Sequence, residues 1–412
     1  MISSFKNIPV GWNVKLSSEV LFFQEGPGVR KWQFKEEGVK LLNGGNINNN
    51  RINLSSTKHF LSEDEAYNKY KHFLIDEGDL LIACSGITIN TFYKKIAFIK
   101  NEDLPLCLNT STMRFKSLGD IELRYFYYYL QTNYFTKQIQ KLITGSAQLN
   151  FGPSHMGKIE VLLPPLDQQK KIAAILDAAD TYRQKTKALI TKYDDLTQSL
   201  FLDMFGDPVT NPMEWDKVAL NELCDFKKTS VKPEEIETGD TYIGLECIEK
   251  QTGKILERFI VEAGEIKSNK FWFDSNYILY GKLRPYLNKV ANPDFEGVCS
   301  TDIIPIRPIL KNTVKEFIIS LLRGSWFVSF ADERCSGANL PRISPKEVEK
   351  YQTINPPIKL QNQFAERVQA IEAQKAQAQA SLAQADHLFN SLLQKAFKGE
   401  LVKYHNYEQT TI

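Results

Sequence analysis

The sequence predicts an α/β (α+β) chain built twice over: two mixed α/β domains alternate with two long helices, related by a pseudo-twofold internal repeat. Three observations predict this: a recurring sequence at an offset near 192, two long stretches free of Pro and Gly, and short apolar runs of strand length between them. Pro164-Pro165-Leu166 returns 192 residues later as Pro356-Pro357-Ile358. At the same offset Gln169 becomes Gln361, Leu200 becomes Leu392 and Phe205 becomes Phe397. Upstream the spacing drifts, to 191 for Gly145–Leu149 against Ser336–Leu340 and to 203 for Trp12 against Trp215. A unit of about half the chain is a gene-scale duplication, far longer than a solenoid repeat.

Each half begins with a mixed α/β part. Asp79–Ala83, Lys95–Ile99, Tyr277–Tyr280 and Ile303–Ile306 read as short buried strands. Tyr125–Leu142 and Val314–Phe330 read as helices followed by glycine loops. The tyrosine row from Tyr125 to Tyr129 reads as core with hydroxyls at its margins, base stacking being the lesser alternative.

Each half ends in a long helix, from Pro164-Pro165 to Phe205 and from Pro356-Pro357 to Lys398. Ile172, Ile175, Ala179, Tyr182, Thr186, Leu189, Tyr193, Leu196 and Leu200 form a heptad-like seam for antiparallel coiled-coil pairing with the second helix. The second helix is rich in Ala and Gln, which permits close approach. The expected segmentation is a first domain at 1–163, a helix at 164–206, a second domain at 207–355, a helix at 356–400 and a tail at 401–412.

Composition sets limits. The 412 residues are 42% apolar and 24% charged, enough for two or three globular cores. No run is long and apolar enough for a membrane span, and the first residues carry no signal-peptide pattern. Six scattered cysteines without a CxxC pair fit free thiols and a cytoplasmic protein. Five histidines without HExxH or ligand spacing give no metal site, and no phosphate loop or nucleophile elbow is present. The net charge of +2 neither announces nor excludes nucleic acid, but Leu123–Ile159, Ser275–Pro293 and Ser85–Asn101 hold basic residues and not one acid.

These features resemble the specificity subunit of type I restriction–modification systems over nearly the whole chain. Pro164-Pro165-Leu166-Asp167-Gln168-Gln169 resembles the start of that family's central helix, and Leu200–Gly206 its end. Lys282–Lys289 followed by Val298–Asp302 resembles a recurrent segment of its target recognition domains, and Asp76–Ile82 the matching segment of the first. The first domain departs at Ala83–Thr88, which lacks the Leu-Arg-Pro-Tyr run.

The resemblance implies a subunit without catalytic residues or cofactor of its own. It would bind double-stranded DNA and two modification subunits, which methylate adenine with S-adenosylmethionine; restriction subunits, where present, add ATP- and Mg-dependent cleavage. Each recognition domain would read half of a split target, the helices setting the gap. Asn355-Pro356-Pro357-Ile358 imitates an adenine methyltransferase motif, but Ile replaces its aromatic and its repeat partner is Leu163-Pro164-Pro165-Leu166, so rigid helix starts explain both. The rival readings are a coiled-coil adaptor between proteins and the remnant of a restriction–methylation fusion enzyme.

Base edges are read by polar side chains on loops. The candidates are Asn46, Asn48, Arg51, Lys94, Lys95, Ser146, Gln148 and Asn150 in the first half, and Lys282, Arg284, Tyr286, Lys289, Arg334, Asn339 and Arg342 in the second. Leu200, Phe201, Phe205, Leu392, Leu393 and Phe397, at the helix ends, are the candidate partner-binding residues.

Overall fold

The computed structural model describes residues 8–55, 57–143, 150–337 and 339–402. The chain divides into two compact units, Met1–Gln184 with Ala383–Ile412, and Lys185–Leu382. The boundaries fall inside the two long helices because the end of the second helix packs into the first unit's core, through Phe389, Ala396 and Phe397.

In the first unit, Asn13–Leu16 pairs antiparallel with Glu160–Leu163 beside the start of the central helix. An antiparallel sheet follows in the order Leu21–Glu25, Thr112–Ser117, Leu80–Ala83, Ile96–Phe98. Leu80-Leu81-Ile82-Ala83 is wholly buried, as a central strand covered on both faces requires. A smaller sheet pairs Val39–Leu42 in parallel with Leu106–Leu108.

The second unit repeats the plan. Lys217–Ala219 pairs with Gln352–Ile354. Its four-stranded sheet runs Cys224–Asp225, Ile303–Pro308, Ile278–Gly281, Val290–Ala291, and its five-stranded sheet pairs Thr241–Ile243 in parallel with Gly297–Cys299. Cys107 and Cys299, matched in sequence, lie on corresponding parallel strands.

Both predicted mid-domain helices are broken. The first is Leu123–Tyr129 and Asn133–Leu142, because Thr132 caps a new start by accepting a bond from the Phe135 amide. The second is Lys315–Arg323 and Ser325–Glu333. Gly324 divides them in extended conformation, and a Cβ there would lie 2.0 Å from the Trp326 ring. The tyrosine row is core: Tyr125, Tyr128 and Tyr129 are fully buried. Their hydroxyls donate to Leu162 O at 2.8 Å, Asp177 Oδ1 at 2.6 Å and Glu160 O at 2.5 Å.

The long helices are Leu166–Phe205 and Ile358–Phe397, 40 residues each, or about 60 Å. Pro165 and Pro357 accept the first helical amide bonds, and Gly206 and Gly399 end the helices with positive φ. Within each unit the helices run antiparallel. The expected seam is right at Ile172, Ala179, Thr186, Tyr193 and Leu200 but wrong at Ile175, Tyr182, Leu189 and Leu196, which are exposed. The inward positions between are Leu176, Arg183, Ile190 and Thr197. Apolar spacing alone favoured Ile175 over Arg183, and packing chose the reverse.

One contact recurs at both helix starts. Gln169 is buried; its Oε1 accepts from the Glu122 amide at 2.8 Å and its Nε2 donates to Pro164 O at 2.9 Å and Asp120 O at 3.0 Å. Gln361 accepts from the Val314 amide at 3.2 Å and the Thr313 hydroxyl at 2.8 Å, and donates to Pro356 O at 2.8 Å. Glu122 and Val314 are the N-cap residues of Leu123–Tyr129 and Lys315–Arg323. Each glutamine thus fastens a long helix to a domain helix. Gln169→Ala or Gln361→Ala leaves a half-buried amide and a buried carbonyl unpaired, and is expected to cost about 2–4 kcal/mol in urea unfolding. A loss below about 0.5 kcal/mol in both would show the clamps to be dispensable.

Candidate nucleic-acid interface

In the first unit the candidates gather around one hairpin. Ile47–Asn48 pairs with Arg51–Ile52 across Asn49 and Asn50, whose φ of 50° and 61° make the tight turn that Asn tolerates. The Asn50 amide side chain donates to Tyr93 O at 2.7 Å and Ile96 O at 3.1 Å, which ties the hairpin to the Ile89–Lys94 turn. Lys95 Nζ donates to Asn48 Oδ1 at 2.6 Å, and burial pushes its pKa down. Arg51 and Lys94 are exposed, and exposed Tyr93 lies under the Lys94 ammonium at 5.5 Å. Asn150 accepts from the Ser85 hydroxyl at 2.9 Å and the Gly86 amide at 3.0 Å. Asn46 is a correction: it is buried and spends its amide on Asn43 N, Asn53 O and Thr57 Oγ1, so it builds the loop. Ser146 and Gln148 lie outside the described residues.

In the second unit a bend after Ile278–Gly281 carries the cluster. Arg284 has φ 52° and Asn288 φ 50°, flanking the turn Pro285–Leu287. Arg284 N donates to Pro341 O at 2.7 Å, and Leu283 and Ser336 both bridge to Arg342, so two loops are joined. Arg342 grips Asp302 with Nε at 2.9 Å and Nη2 at 3.2 Å, and Lys282 stands 3.8 Å from the same carboxylate. The Arg342 hydrogen bond holds the Asp302 carboxyl below the usual range. Arg284, Tyr286 and Asn339 are exposed beside this anchor. The Arg284 side chain makes no hydrogen bond or ion pair among the described residues.

Two further candidates have internal roles. Lys289 Nζ donates to Leu245 O at 2.6 Å. Arg334 lies over Phe330 at 4.1 Å, within 4 Å of Glu333 and Glu347, so its charge is offset.

Sequence reasoning missed Tyr93, whose signal is the strand spacing that puts the Ile89–Lys94 turn beside the hairpin. It also missed that Gly86 and Arg284 occupy equivalent places, each three residues past the matching strand and each with positive φ. Lys95 and Lys289 likewise precede matching strands, and each reaches a carbonyl of a short turn, Gly44 O at 3.4 Å and Leu245 O. The second unit also has a cavity of about 620 Å³ beside Asn355 and Pro356, but Glu214, Asp216 and Glu222 outnumber Lys311 on its wall, the wrong charge for a phosphate backbone.

The candidate partner-binding residues are a second correction. Phe201 stacks on Phe317 and Phe205 meets Phe364 edge-on inside the second unit, and Phe397 packs on Tyr125 and Tyr129 inside the first. Leu200, Leu392 and Leu393 back the same cores. These side chains are core because the helix ends anchor the domains.

The profile of the type I restriction modification DNA specificity domain matches residues 9–192 and again 212–384. The chain belongs to that family. Its relatives include the EcoDI specificity subunit of Escherichia coli, 28% identical over 46% of this chain and 43% of that one. The MjaVIII specificity subunit of Methanocaldococcus jannaschii is 30% identical over 48% of this chain and 47% of that one. The matched chain thus spans less than half the length of these two. The EcoKI specificity subunit of Escherichia coli K12 is 22% identical over 96% of this chain and 90% of that one. The S subunit of a type I system from M. genitalium has a similar fold, with a TM-score of 0.57 at 16% identity, covering 96% of this chain and 98% of that one. No described helix is long and apolar enough to cross a membrane.

Proposed function

We propose that this chain is the DNA sequence-recognition subunit of a type I restriction–modification complex. Each unit reads one half of a bipartite double-stranded target, and the long helices set the gap. Two modification subunits dock on the chain and methylate adenine with S-adenosylmethionine, which they bind and this chain does not; restriction subunits bring ATP and Mg in systems that also cut. The chain itself is non-catalytic and works in the cytoplasm. The observation that carries the reading is the specificity-domain match occurring twice, once over each half of a duplicated fold.

Methylome sequencing of a host carrying this chain and its modification partner tests it. The expected result is methylated adenine in a split motif of two short half-sites. A continuous motif, or no methylation dependent on this chain, overturns it.

Within this reading, Arg284 is the foremost DNA contact of the second unit. Its guanidinium is exposed beside an anchored cluster of cations, on a backbone bend that costs about 1 kcal/mol for a non-glycine residue. Arg284→Gly suits the positive φ, as Gly86 does in the first unit, so stability holds or rises. Duplex affinity in the presence of the modification partner falls roughly 10- to 100-fold. Unchanged affinity in a gel shift removes Arg284 from the interface.

The candidate docking residues move to exposed Ile175 and Tyr182 in the first unit and exposed Leu189 and Leu196 in the second, spaced by seven in the central helix. The repeat-related positions of the second helix are Arg367, Gln374, Ser381 and Leu388, so the two outer faces are unequal. Leu189→Lys should leave the chain folded and lower the number of modification subunits bound, read by mass photometry; two partners still bound at low protein concentration would refute this surface.

A further inference from the structure

The two long helices are joined by charged groups as well as by apolar packing, and these groups obey the duplication. In the first unit Arg183 Nε donates to Asp386 Oδ1 at 2.7 Å, and Nη1 meets Asp180, three residues back on its own helix, at 3.0 Å. In the second unit Lys375 Nζ donates to Asp194 Oδ1 at 2.5 Å and meets Glu372, again three residues back, at 3.5 Å. Adding 192 to Asp180, Arg183 and Asp194 gives Glu372, Lys375 and Asp386. The two triads are therefore one triad, copied. Each helix carries a cation and, eleven residues on, the acid that receives the other helix's cation. The cations are withdrawn from solvent, at 18% exposure for Arg183 and 9% for Lys375, while the cross-helix acids are 39% and 37% exposed. Arg183 also covers the Phe389 ring at 4.2 Å.

We propose that Arg183, Asp386, Lys375 and Asp194 are a register lock: they select one antiparallel alignment of the helices and thereby fix the gap in the DNA target. The part concerning the gap rests on the DNA-recognition reading above.

The apolar seam selects an alignment weakly in its middle. There the buried apolar residues of the second helix are Ala378 and Ala385, with Ile371 and Leu382 only half-buried, and small side chains interdigitate little. A slip by one heptad keeps such a seam apolar but is punished at the charges. In one direction it sets Lys375 against Lys187 and Arg183 against Gln379. In the other it sets Lys375 against Phe201 and Arg183 against Leu393. Each slip leaves desolvated cations without the facing acid, and the cost of an uncompensated buried charge exceeds what a neutral seam can resist. Fixing register is the best-attested use of such buried polar pairs.

The test is a charge-exchange cycle in the full-length chain. Arg183→Asp and Asp386→Arg are made singly and together, and Lys375→Asp with Asp194→Lys likewise. Each single reversal should lower the melting temperature by roughly 4–10 °C, and each double exchange should recover most of that loss. In the host with its modification partner, singles should methylate targets with a shifted or mixed gap, and doubles should restore one gap with unchanged half-sites. A purely stabilising pair would move the melting temperature and leave the gap single and unaltered, which overturns the lock. So would double exchanges that recover nothing. If the unaltered chain directs no bipartite methylation, the DNA reading fails and the part concerning the gap with it, while double exchanges that recover no melting temperature still reject the pairing itself.

Discussion

Two buried glutamines carry a constraint on which the rest of the structure depends. Gln169 and Gln361, each on a long helix, spend the donor and the acceptor of one amide on two other segments: the first proline of the Pro-Pro dipeptide and the chain at the N-cap of a domain helix. An amide in a dry site must be satisfied on both ends, so the angle between long helix and domain is set by hydrogen-bond geometry. A purely apolar contact would leave that angle soft. The Pro-Pro dipeptide before each glutamine removes competing backbone donors and holds the chain extended up to the first turn.

The long helices inherit that anchoring at both ends. Aromatic groups close the joints: Phe397 on Tyr125 and Tyr129 in the first unit, and Phe201 and Phe205 on Phe317 in the second. Between the joints the seam turns lean, with alanines and a few polar groups. Stability is thus concentrated at the helix ends, and alignment falls to the charged triads. This division explains why Phe201, Phe205 and Phe397, which looked available to partners from their position at the helix ends, are enclosed, with Leu200, Leu392 and Leu393 half-buried behind them.

The loops facing outward follow a different logic. In each unit a lysine before a strand clasps a carbonyl of a short turn, and three residues beyond the preceding strand the backbone bends through positive φ. On that shared frame the two units put different chemistry. The first offers a hairpin rich in asparagine with Arg51 and Lys94, and the second offers Arg284, Tyr286 and Asn339 beside the Arg342–Asp302 pair. A frame held by backbone contacts tolerates exchange of its exposed side chains, so the two units carry different surfaces on one plan.

The sequence by itself determined the duplication, the place of both long helices and the strands around Leu80–Ala83 and Ile278–Gly281, because repeats, proline–proline starts and unbroken apolar runs are local signals. It also marked most of the loops that cluster in each unit. It did not determine which helix face turns inward: Ile175 and Arg183 compete for the seam, and only the acid at position 386, supplied from 203 residues away, makes the charged choice favourable. Nor did it separate Asn46 and Lys289 from their exposed neighbours, since an asparagine in a turn and a lysine before a strand look alike whether they face solvent or a carbonyl. Composition and spacing report what a residue is. Its partners, and therefore its burial and charge state, come from segments far away in the chain, and only the tertiary structure brings those to the same place.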